Sequence, residues 1–441
     1  MMRKLFSVSV LGWSFLAIGM IGNPWVVARY FTQDGSLDLH TRTALLILDA
    51  IVIFWGMVIL YQRRSWKARH ISYLLVTTVI TLAIVESGLQ ILCIIKNRVV
   101  VDVRMLLSVY KNETWGDEYW KEYRSTSFHY EPFILWNADE YHGKWINIDH
   151  NGLRKTWAPG GANAPAPAEI YVLGGSAIWG IGARDDYTIP SNLSKLLNAE
   201  NKQYRVSNYG IPGFTFLQGI IKLTLLLQKG QRPHYVIFYD GPNDVYAAYQ
   251  SGRVVDFLDY RGTKEKVETS PINQGIKYLI AKCRIVQAAE KTLAFVHLQA
   301  NFQEGGASFT DKQLEVLAND IADNYKKSAS LLHNLSKVYN FNYVLFWQPV
   351  IFTEINVVEE EVRFDPHCQD KKLAKLFKLV KGSLVSSSIP HWHDLSAVLH
   401  QGPKPAYIDF CHLTEKGYER VAAKMGAIVK QELETVKGVP R

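Results

Sequence analysis

The chain has 441 residues and a formal net charge of +8 at pH 7, and 48% of its residues are hydrophobic. The first 98 residues hold ten Lys or Arg and four Asp or Glu, whereas the rest of the chain holds 39 and 37. Because the excess positive charge is concentrated near the N-terminus, a nucleic-acid-binding surface is not indicated. The rest of the chain is long enough for one large α/β domain with insertions.

Three apolar segments dominate the N-terminal quarter, at residues 5–28, 43–61 and 71–95. Each is long enough to cross a bilayer, and the first exceeds the apolar core of a signal peptide. Basic residues flank them on one side: Arg3, Lys4, Arg63, Arg64, Lys67 and Arg69. The three segments therefore predict three transmembrane helices. Because basic loops stay in the cytoplasm, the N-terminus and the second loop are predicted to lie inside. We therefore expect a membrane anchor over residues 1–98, in the cytoplasmic membrane of a bacterium, with the later residues on the extracytoplasmic side.

Two carboxylates, Asp49 and Glu86, lie within the second and third apolar segments. At about 1.5 Å per residue, their predicted depths differ by only about 5 Å, so the side chains can meet. Carboxylates inside a membrane are costly and are candidates for function. The favoured interpretation is a protonated pair that holds two helices together, and the alternative is a polar path towards the outer domain.

Residues 99–165 form a predicted lid region that leads into the main domain, and they include a predicted short strand at 146–149. The segment is rich in large aromatic side chains: Tyr119, Trp120, Tyr123, Tyr130, Phe133, Trp136, Tyr141 and Trp145. Such residues can form a sugar-binding surface, lie at a membrane interface, or pack as an apolar lid on the main sheet. Proline and glycine residues between 159 and 167 predict a linker.

From residue 166 to residue 441, strands and helices alternate. Strands are predicted at 170–173, 205–207, 235–239, 343–347 and 393–395, and helices at 190–197, 216–227, 310–335 and 414–429. Thr310 and Gln313 have the spacing of a capping box at the start of a helix. Residues 245–308 show weak patterning and are predicted to form an insertion on the substrate side. Alternating strands and helices predict a parallel sheet that is covered on both faces.

Four short motifs carry the candidate chemistry. Ser176 follows Gly174-Gly175 directly after an apolar strand, Gly210 follows the next strand, and Asn243 follows the third. Asp409 and His412 lie three residues apart near the C-terminus. A serine becomes a nucleophile when a histidine accepts its proton and a carboxylate orients that histidine. Backbone N–H groups and an Asn amide can stabilise the oxygen that becomes negative.

In this order the motifs resemble the four blocks of the SGNH (GDSL-like) hydrolase superfamily, over about residues 165 to 432. The resemblance implies Ser176 as the nucleophile, Asp409 and His412 as its partners, and Ser176, Gly210 and Asn243 as oxyanion-hole donors. It also implies a flavodoxin-like three-layer α/β/α fold with the site at the carboxyl edge of the strands. The sequence departs from the founding motif at Gly175, which stands in place of Asp.

Other motif interpretations fail on single residues. Ile178 stands where a nucleophile elbow of an α/β-hydrolase requires glycine. The segment from Gly180 lacks the third glycine of a dinucleotide-binding fingerprint, so no cofactor is predicted. His391 and His393 flank Trp392, but an ordinary strand end is favoured over a metal site, and no metal is predicted. Cys283 and Cys368 are the natural candidates for a disulfide, although their spacing does not require one.

The sequence thus predicts a membrane-anchored serine esterase that cleaves O-acyl esters of envelope glycans or lipids. Two alternatives stay open: an SGNH-type O-acyltransferase that modifies a surface polysaccharide, and a catalytically idle domain that serves as an envelope scaffold. The predicted partners are an ester-bearing glycan or lipid and the lipid bilayer, without nucleic acid. The oligomeric state is left open.

Overall fold

The computed structural model describes residues 103–159, 168–199, 204–258, 282–287 and 309–435, together with 39–61 and scattered positions between 13 and 90. The chain divides into two units. One consists of Met1–Val100 and Gly262–Phe302, and the other of Val101–Arg261 and Gln303–Arg441. Residues 262–302, predicted as part of an insertion in the main domain, therefore group with the N-terminal segment.

The first unit contains helix α1, Leu39–Tyr61, which covers the second predicted membrane span. Most of the first and third predicted spans lie outside the described residues. Among the helices that the structure describes, none is both long and apolar enough to cross a membrane. The three predicted transmembrane helices are therefore not supported by this part of the chain.

The second unit begins with a lid region of short elements. It contains helices α2 (Ser108–Lys111) and α3 (Gly116–Ser125) and strands β1 (Phe128–Glu131), β2 (Leu135–Ala138), β3 (Tyr141–His142) and β4 (Asn147–Ile148). The predicted short strand at 146–149 is confirmed by β4. Strands β1 and β2 form one antiparallel hairpin, and β3 pairs antiparallel with β4.

Five parallel strands form the main sheet. They are β5 (Ala168–Gly174), β6 (Tyr204–Asn208), β7 (Tyr235–Asp240), β8 (Asn342–Trp347) and β9 (Trp392–Asp394). Their spatial order is β6-β5-β7-β8-β9. If the five strands are numbered 1 to 5 along the chain, this order is 2-1-3-4-5, which is the flavodoxin-like order. The predicted parallel sheet is confirmed.

The helices of this unit connect or follow the strands. They are α4 (Ser176–Trp179), α5 (Ile189–Leu197), α6 (Phe216–Gln228), α7 (Pro242–Ser251), α8 (Asp311–Tyr339), α9 (Glu359–Val362), α10 (Lys371–Val385) and α11 (Glu415–Thr435). The predicted capping box at the start of α8 is present: the Thr310 side chain accepts from Gln313 N–H, and the Gln313 side chain accepts from Thr310 N–H.

Helices pack on both faces of the sheet, because successive strand residues point to opposite sides. Phe238 of β7 contacts Phe216 of α6, with 5.1 Å between ring centroids. Three residues earlier, and therefore on the other face, the Tyr235 hydroxyl hydrogen-bonds Glu432 of α11. The arrangement has three layers, and the carboxyl ends of the strands emerge together at one edge.

The aromatic lid region is partly a second hydrophobic core. Tyr119 and Trp120 are fully buried and cluster with Trp179 of α4 and Ile408. The Tyr119 hydroxyl also accepts a hydrogen bond from Gly182 N–H at 2.7 Å. These side chains therefore follow the packing interpretation and brace the segment after Ser176. Tyr130 and Phe133 differ, because both are strongly exposed.

Candidate active site

Ser176 begins α4 immediately after the carboxyl end of β5. The chain turns there because Gly174 adopts a positive φ of 154° and packs tightly on the next strand. A Cβ atom on Gly174 would come within 2.4 Å of the carbonyl oxygen of Tyr239. The first helical residue has no N–H partner one turn earlier, so the Ser176 N–H is left without an acceptor within the helix. Ser176 is 8% exposed.

The structure brings Ser176, His412 and Asp409 together, although the serine is 236 residues before the histidine. His412 Nε2 lies 2.6 Å from Ser176 Oγ, and His412 Nδ1 lies 2.6 Å from Asp409 Oδ2. The Asp409 and His412 side chains are both 15% exposed, so the pair is largely shielded from water. This is the geometry in which a carboxylate holds Nδ1–H and leaves Nε2 to accept a serine proton.

Asp409 is held in its charged form. Burial opposes ionisation, but the charge of His412, its ring hydrogen bond, and the N–H groups of Cys411 and His412 outweigh burial, and the pKa of Asp409 falls well below its usual range. The two backbone N–H groups donate to Oδ1 at 3.0 and 2.7 Å. Oδ2 is thereby left for the imidazole.

The turn that carries Asp409 and His412 is supported by two residues that the sequence did not single out as site residues. The Gln348 amide, at the carboxyl end of β8, donates to the Cys411 carbonyl at 2.6 Å. Asp365 Oδ2 accepts the N–H of Phe410 at 3.0 Å. The position of Gln348 just after a predicted buried strand was the available signal, whereas nothing in the sequence indicated Asp365.

Asn243 lies at the start of α7, beside Gly175, the residue that precedes Ser176. A Cβ atom on Gly175 would come within 2.3 Å of Asn243 Nδ2. In this chain, position 175 therefore has no room for a side chain unless Asn243 moves. One N–H of the Asn243 amide donates to the Phe214 carbonyl at 2.7 Å, and the second N–H has no hydrogen-bond acceptor among the described residues.

The structure does not support Gly210 as an oxyanion donor. Its N–H donates to Asn208 Oδ1 at 3.0 Å within its own loop. Glycine is needed here for another reason, because a Cβ atom would lie 2.3 Å from the backbone nitrogen of Trp179. The Gly210 N–H predicted as a donor is thus already bonded to a side chain of its own loop.

Gly213, three residues later, is the better placed glycine. It has a positive φ of 84° and precedes Phe214, whose carbonyl accepts the Asn243 amide. Among the described residues, its N–H has no hydrogen-bond acceptor. The loop is tied to α7, since Phe216 N–H donates to both carboxylate oxygens of Asp244 at 3.2 Å. Gly213 N–H is therefore available as a donor, whereas Gly210 N–H is already used within the loop.

A buried ion pair behind α4 was also missed from the sequence. The Arg154 side chain is fully buried, and its Nε donates to Asp185 Oδ1 at 3.0 Å. Its terminal nitrogens donate to the carbonyls of Trp179, Gly180 and Ala183 at 3.0, 2.7 and 2.6 Å. This guanidinium therefore fixes the segment that follows Ser176. A single arginine before a loop carried no signal for this role.

The other residues singled out from the sequence lie elsewhere. His391 precedes β9 and His393 lies within it, and their Nδ1 and Nε2 atoms lie 3.8 and 3.6 Å from Glu432 Oε1 of α11, away from Ser176 and His412. Cys283 and Cys368 are both free. In the first unit, Glu86 accepts hydrogen bonds from Arg284 N–H and Ile285 N–H at 2.8 and 2.9 Å.

The expected pairing of Asp49 with Glu86 is not among the hydrogen bonds of the described residues, and Asp49 Oδ1 is buried without a partner. Ligand atoms of Asp409, Cys411 and His412 lie within 4.8 Å of one another, a spacing that a metal ion could bridge. Asp409 is already hydrogen-bonded to His412, and His412 is hydrogen-bonded to Ser176, which fits acid–base chemistry.

No protein-family model matches the chain, and no curated protein matches it. Similar solved structures include the acetyl xylan esterase AlAXEase, which is 15% identical, with 59% of this chain and 99% of that chain covered and a TM-score of 0.34. TesA is 15% identical over 60% of this chain and 98% of its own, with a TM-score of 0.33.

A third similar structure is Axe2, an acetylxylan esterase from Geobacillus stearothermophilus. It is 16% identical over 59% of this chain and 93% of its own, with a TM-score of 0.32. At these TM-scores the likenesses carry no functional inference. We therefore base the function on the geometry of the site.

Proposed function

We propose that the chain is a serine esterase of the SGNH type that cleaves O-acyl esters through an acyl-enzyme intermediate. One observation carries the proposal: His412 lies 2.6 Å from Ser176 Oγ through Nε2 and 2.6 Å from Asp409 through Nδ1. A histidine held in this way accepts the serine proton as the hydroxyl attacks.

The reaction proceeds in two halves. Ser176 Oγ attacks the acyl carbon, its proton passes to His412 Nε2, and the tetrahedral intermediate collapses as the imidazolium gives that proton to the leaving alcohol. Water then attacks the acyl-enzyme, and its proton follows the same path to His412 and back to Ser176 Oγ. Asp409 stays ionised and holds the imidazole orientation throughout.

Three donors are proposed for the oxyanion. They are the N–H of Ser176 at the start of α4, the Nδ2 of Asn243 and the N–H of Gly213. All three belong to loops at the carboxyl ends of neighbouring strands, where an α/β sheet binds its ligand. Donors fixed before the reaction stabilise the developing charge without reorganisation.

The substrate is proposed to be an O-acylated envelope glycan or a lipid ester, reached from a membrane anchor on the extracytoplasmic side. The three apolar segments and the basic second loop of the sequence support this anchor. The same acyl-enzyme can transfer its acyl group to a sugar hydroxyl instead of water, so O-acyl transfer is the second candidate.

Labelling with a fluorophosphonate tests the activity, because only an activated serine reacts. The native chain should be labelled and should hydrolyse 4-nitrophenyl acetate, and Ser176→Ala should lose both while keeping its melting temperature. The buried Ser194→Ala is a matched control and should keep both. Full turnover by Ser176→Ala would refute the proposed nucleophile.

Topology requires a separate test. A reporter that functions only outside the cytoplasm should be active when fused at Arg441 and silent when fused near Arg64. The reverse pattern would place the catalytic unit inside, and a cytoplasmic ester would become the better substrate class.

A further inference from the structure

A second hydrogen-bonded triad lies next to the candidate active site. His367 Nδ1 lies 2.8 Å from Asp365 Oδ1, and His367 Nε2 lies 2.8 Å from the Tyr246 hydroxyl. The Asp365 carboxylate is 14% exposed, whereas the His367 side chain is 46% exposed. The group is therefore shielded at its acidic end and more exposed at its histidine.

Two connections place this triad beside the catalytic groups. Tyr246 is three residues after Asn243 on α7, and residues with that spacing share one face of a helix. On the other side, Asp365 Oδ2 accepts Phe410 N–H at 3.0 Å, and Phe410 is the neighbour of Asp409. The triad thus lies between helix α7, which carries Asn243, and the turn that carries His412.

The rings around the hydroxyl form an aromatic surface. The ring centroid of Tyr246 lies 5.5 Å from that of Phe410 and 5.3 Å from that of His367. Tyr246 and Phe410 are both partly exposed. Aromatic rings next to oriented hydrogen-bonding groups suit a sugar, whose C–H faces pack on rings while its hydroxyls bond to polar atoms.

The direction of the hydrogen bonds follows from the carboxylate. Asp365 accepts Nδ1–H, so a neutral His367 presents a lone pair on Nε2 and accepts the Tyr246 O–H. A phenol oxygen that donates in this way becomes a stronger acceptor, because hydrogen bonds in a chain polarise one another. Tyr246 Oη is therefore suited to accept a hydrogen bond from an alcohol.

We propose that Asp365, His367, Tyr246 and Phe410 form an alcohol subsite for a carbohydrate ester. Tyr246 Oη binds a hydroxyl of the sugar, and the rings of Tyr246 and Phe410 pack against it. His367 and Asp365 are positioning residues that orient the phenol. This inference rests on the proposed esterase function and narrows its substrate class from glycan or lipid to a polyhydroxylated alcohol.

The subsite serves both directions of acyl chemistry. In hydrolysis it binds the sugar that leaves when the acyl carbon bonds to Ser176 Oγ. In transfer a sugar hydroxyl attacks the acyl-enzyme, the new C–O bond forms, the bond to Ser176 Oγ breaks, and the sugar proton passes through His412 to Ser176. In either case Tyr246 holds a hydroxyl of the sugar and takes no proton.

Tyr246→Phe tests the subsite because it removes only the hydroxyl. The substrates are a mono-O-acetyl methyl xyloside, which has free hydroxyls, and 4-nitrophenyl acetate, which has none. Relative to 4-nitrophenyl acetate, kcat/KM for the xyloside ester should fall about tenfold, mainly through KM, as expected for one lost hydrogen bond to substrate. Tyr249→Phe is the matched control, since Tyr249 lies on the same helix as Tyr246 and its hydroxyl donates to Asp370 at 2.9 Å. Its ratio should not change.

His367→Phe supplies an independent variant, and it should also lower the ratio. The double variant Tyr246→Phe/His367→Phe should be no worse than the more affected single variant, because both remove one unit. An additive loss, or an unchanged ratio in Tyr246→Phe that retains its native melting temperature, would overturn the subsite. Turnover that survives Ser176→Ala would instead refute the esterase function itself, so the two failures are distinguishable.

Discussion

Replacement of Asp409 by Asn is the most informative change to the triad, because it keeps the shape of the side chain and removes its charge. In the native chain, Oδ1 accepts two backbone N–H groups and Oδ2 accepts the His412 ring. An Asn oxygen can keep the two backbone bonds. Its amide nitrogen then faces Nδ1, so Nδ1 must become the acceptor and the ring proton moves to Nε2, which faces Ser176.

A ring protonated on Nε2 cannot accept the serine proton. In serine proteases with the same three groups, this tautomer error lowers kcat by about 10⁴, which corresponds to about 5.4 kcal/mol. We expect the same order here because the contacts at both ends of the ring are 2.6 Å. Stability should also fall at neutral pH. The folded pKa of Asp409 is lowered, so its stabilisation is present above the unfolded pKa of about 3.9 and is lost as pH falls through the folded pKa.

Steady-state hydrolysis of 4-nitrophenyl acetate at neutral pH measures the loss, and thermal unfolding measures stability. Asp394→Asn is the matched control, because that carboxylate ends β9 and accepts the Ser396 hydroxyl at 2.9 Å outside the triad. We expect full activity from the control. An Asp409→Asn variant within tenfold of native kcat would show that Asp409 does not set the tautomer of His412.

Three further changes separate the other roles. His412→Ala should lower kcat about as far as Ser176→Ala, by about 10⁶, because the triad acts as a unit, whereas His393→Ala should have little effect. Asn243→Ala should lower kcat by about 10²–10³ with a modest change in KM. Arg154→Met should destabilise the fold by about 3–5 kcal/mol in urea unfolding, because it leaves a buried carboxylate unpaired.

Each of these results can fail in a defined way. An essential His393 with a dispensable His412 would overturn the assignment of the base. A change in KM alone would make Asn243 a substrate-binding residue. A native unfolding curve for Arg154→Met would show that the pair with Asp185 contributes little to the fold.

The triad was predictable because its signals are local. Asp409 and His412 lie on one turn, where Ile408 N–H bonds to the His412 carbonyl at 3.0 Å, so their spacing alone brings carboxylate and ring together. Ser176 needed only the pattern of a buried strand followed by glycines. Helix α8 was equally predictable, because its capping box has a fixed spacing and its apolar residues recur with the helical period.

The remaining features depend on contacts between distant segments. The hydrogen bond from Gly210 N–H to the Asn208 side chain, which makes Gly213 the proposed donor, has no signature in the sequence spacing. Arg154 acquires its role from carbonyls that converge only after folding. The grouping of 262–302 with the N-terminal segment likewise reflects long-range contacts.

The strand order explains why the site depends on close contacts between the loops that follow neighbouring strands. Strand β5 lies between β6 and β7, so the loops after these three strands meet at one edge, and Gly175 and Asn243 come too close for a side chain on the former. Any side chain at position 175 would require Asn243 to move. Gly175 and Asn243 are therefore one packing unit, and in this chain the absence of a Cβ atom at 175 is what allows the Asn243 amide to lie this close to the turn that carries Ser176.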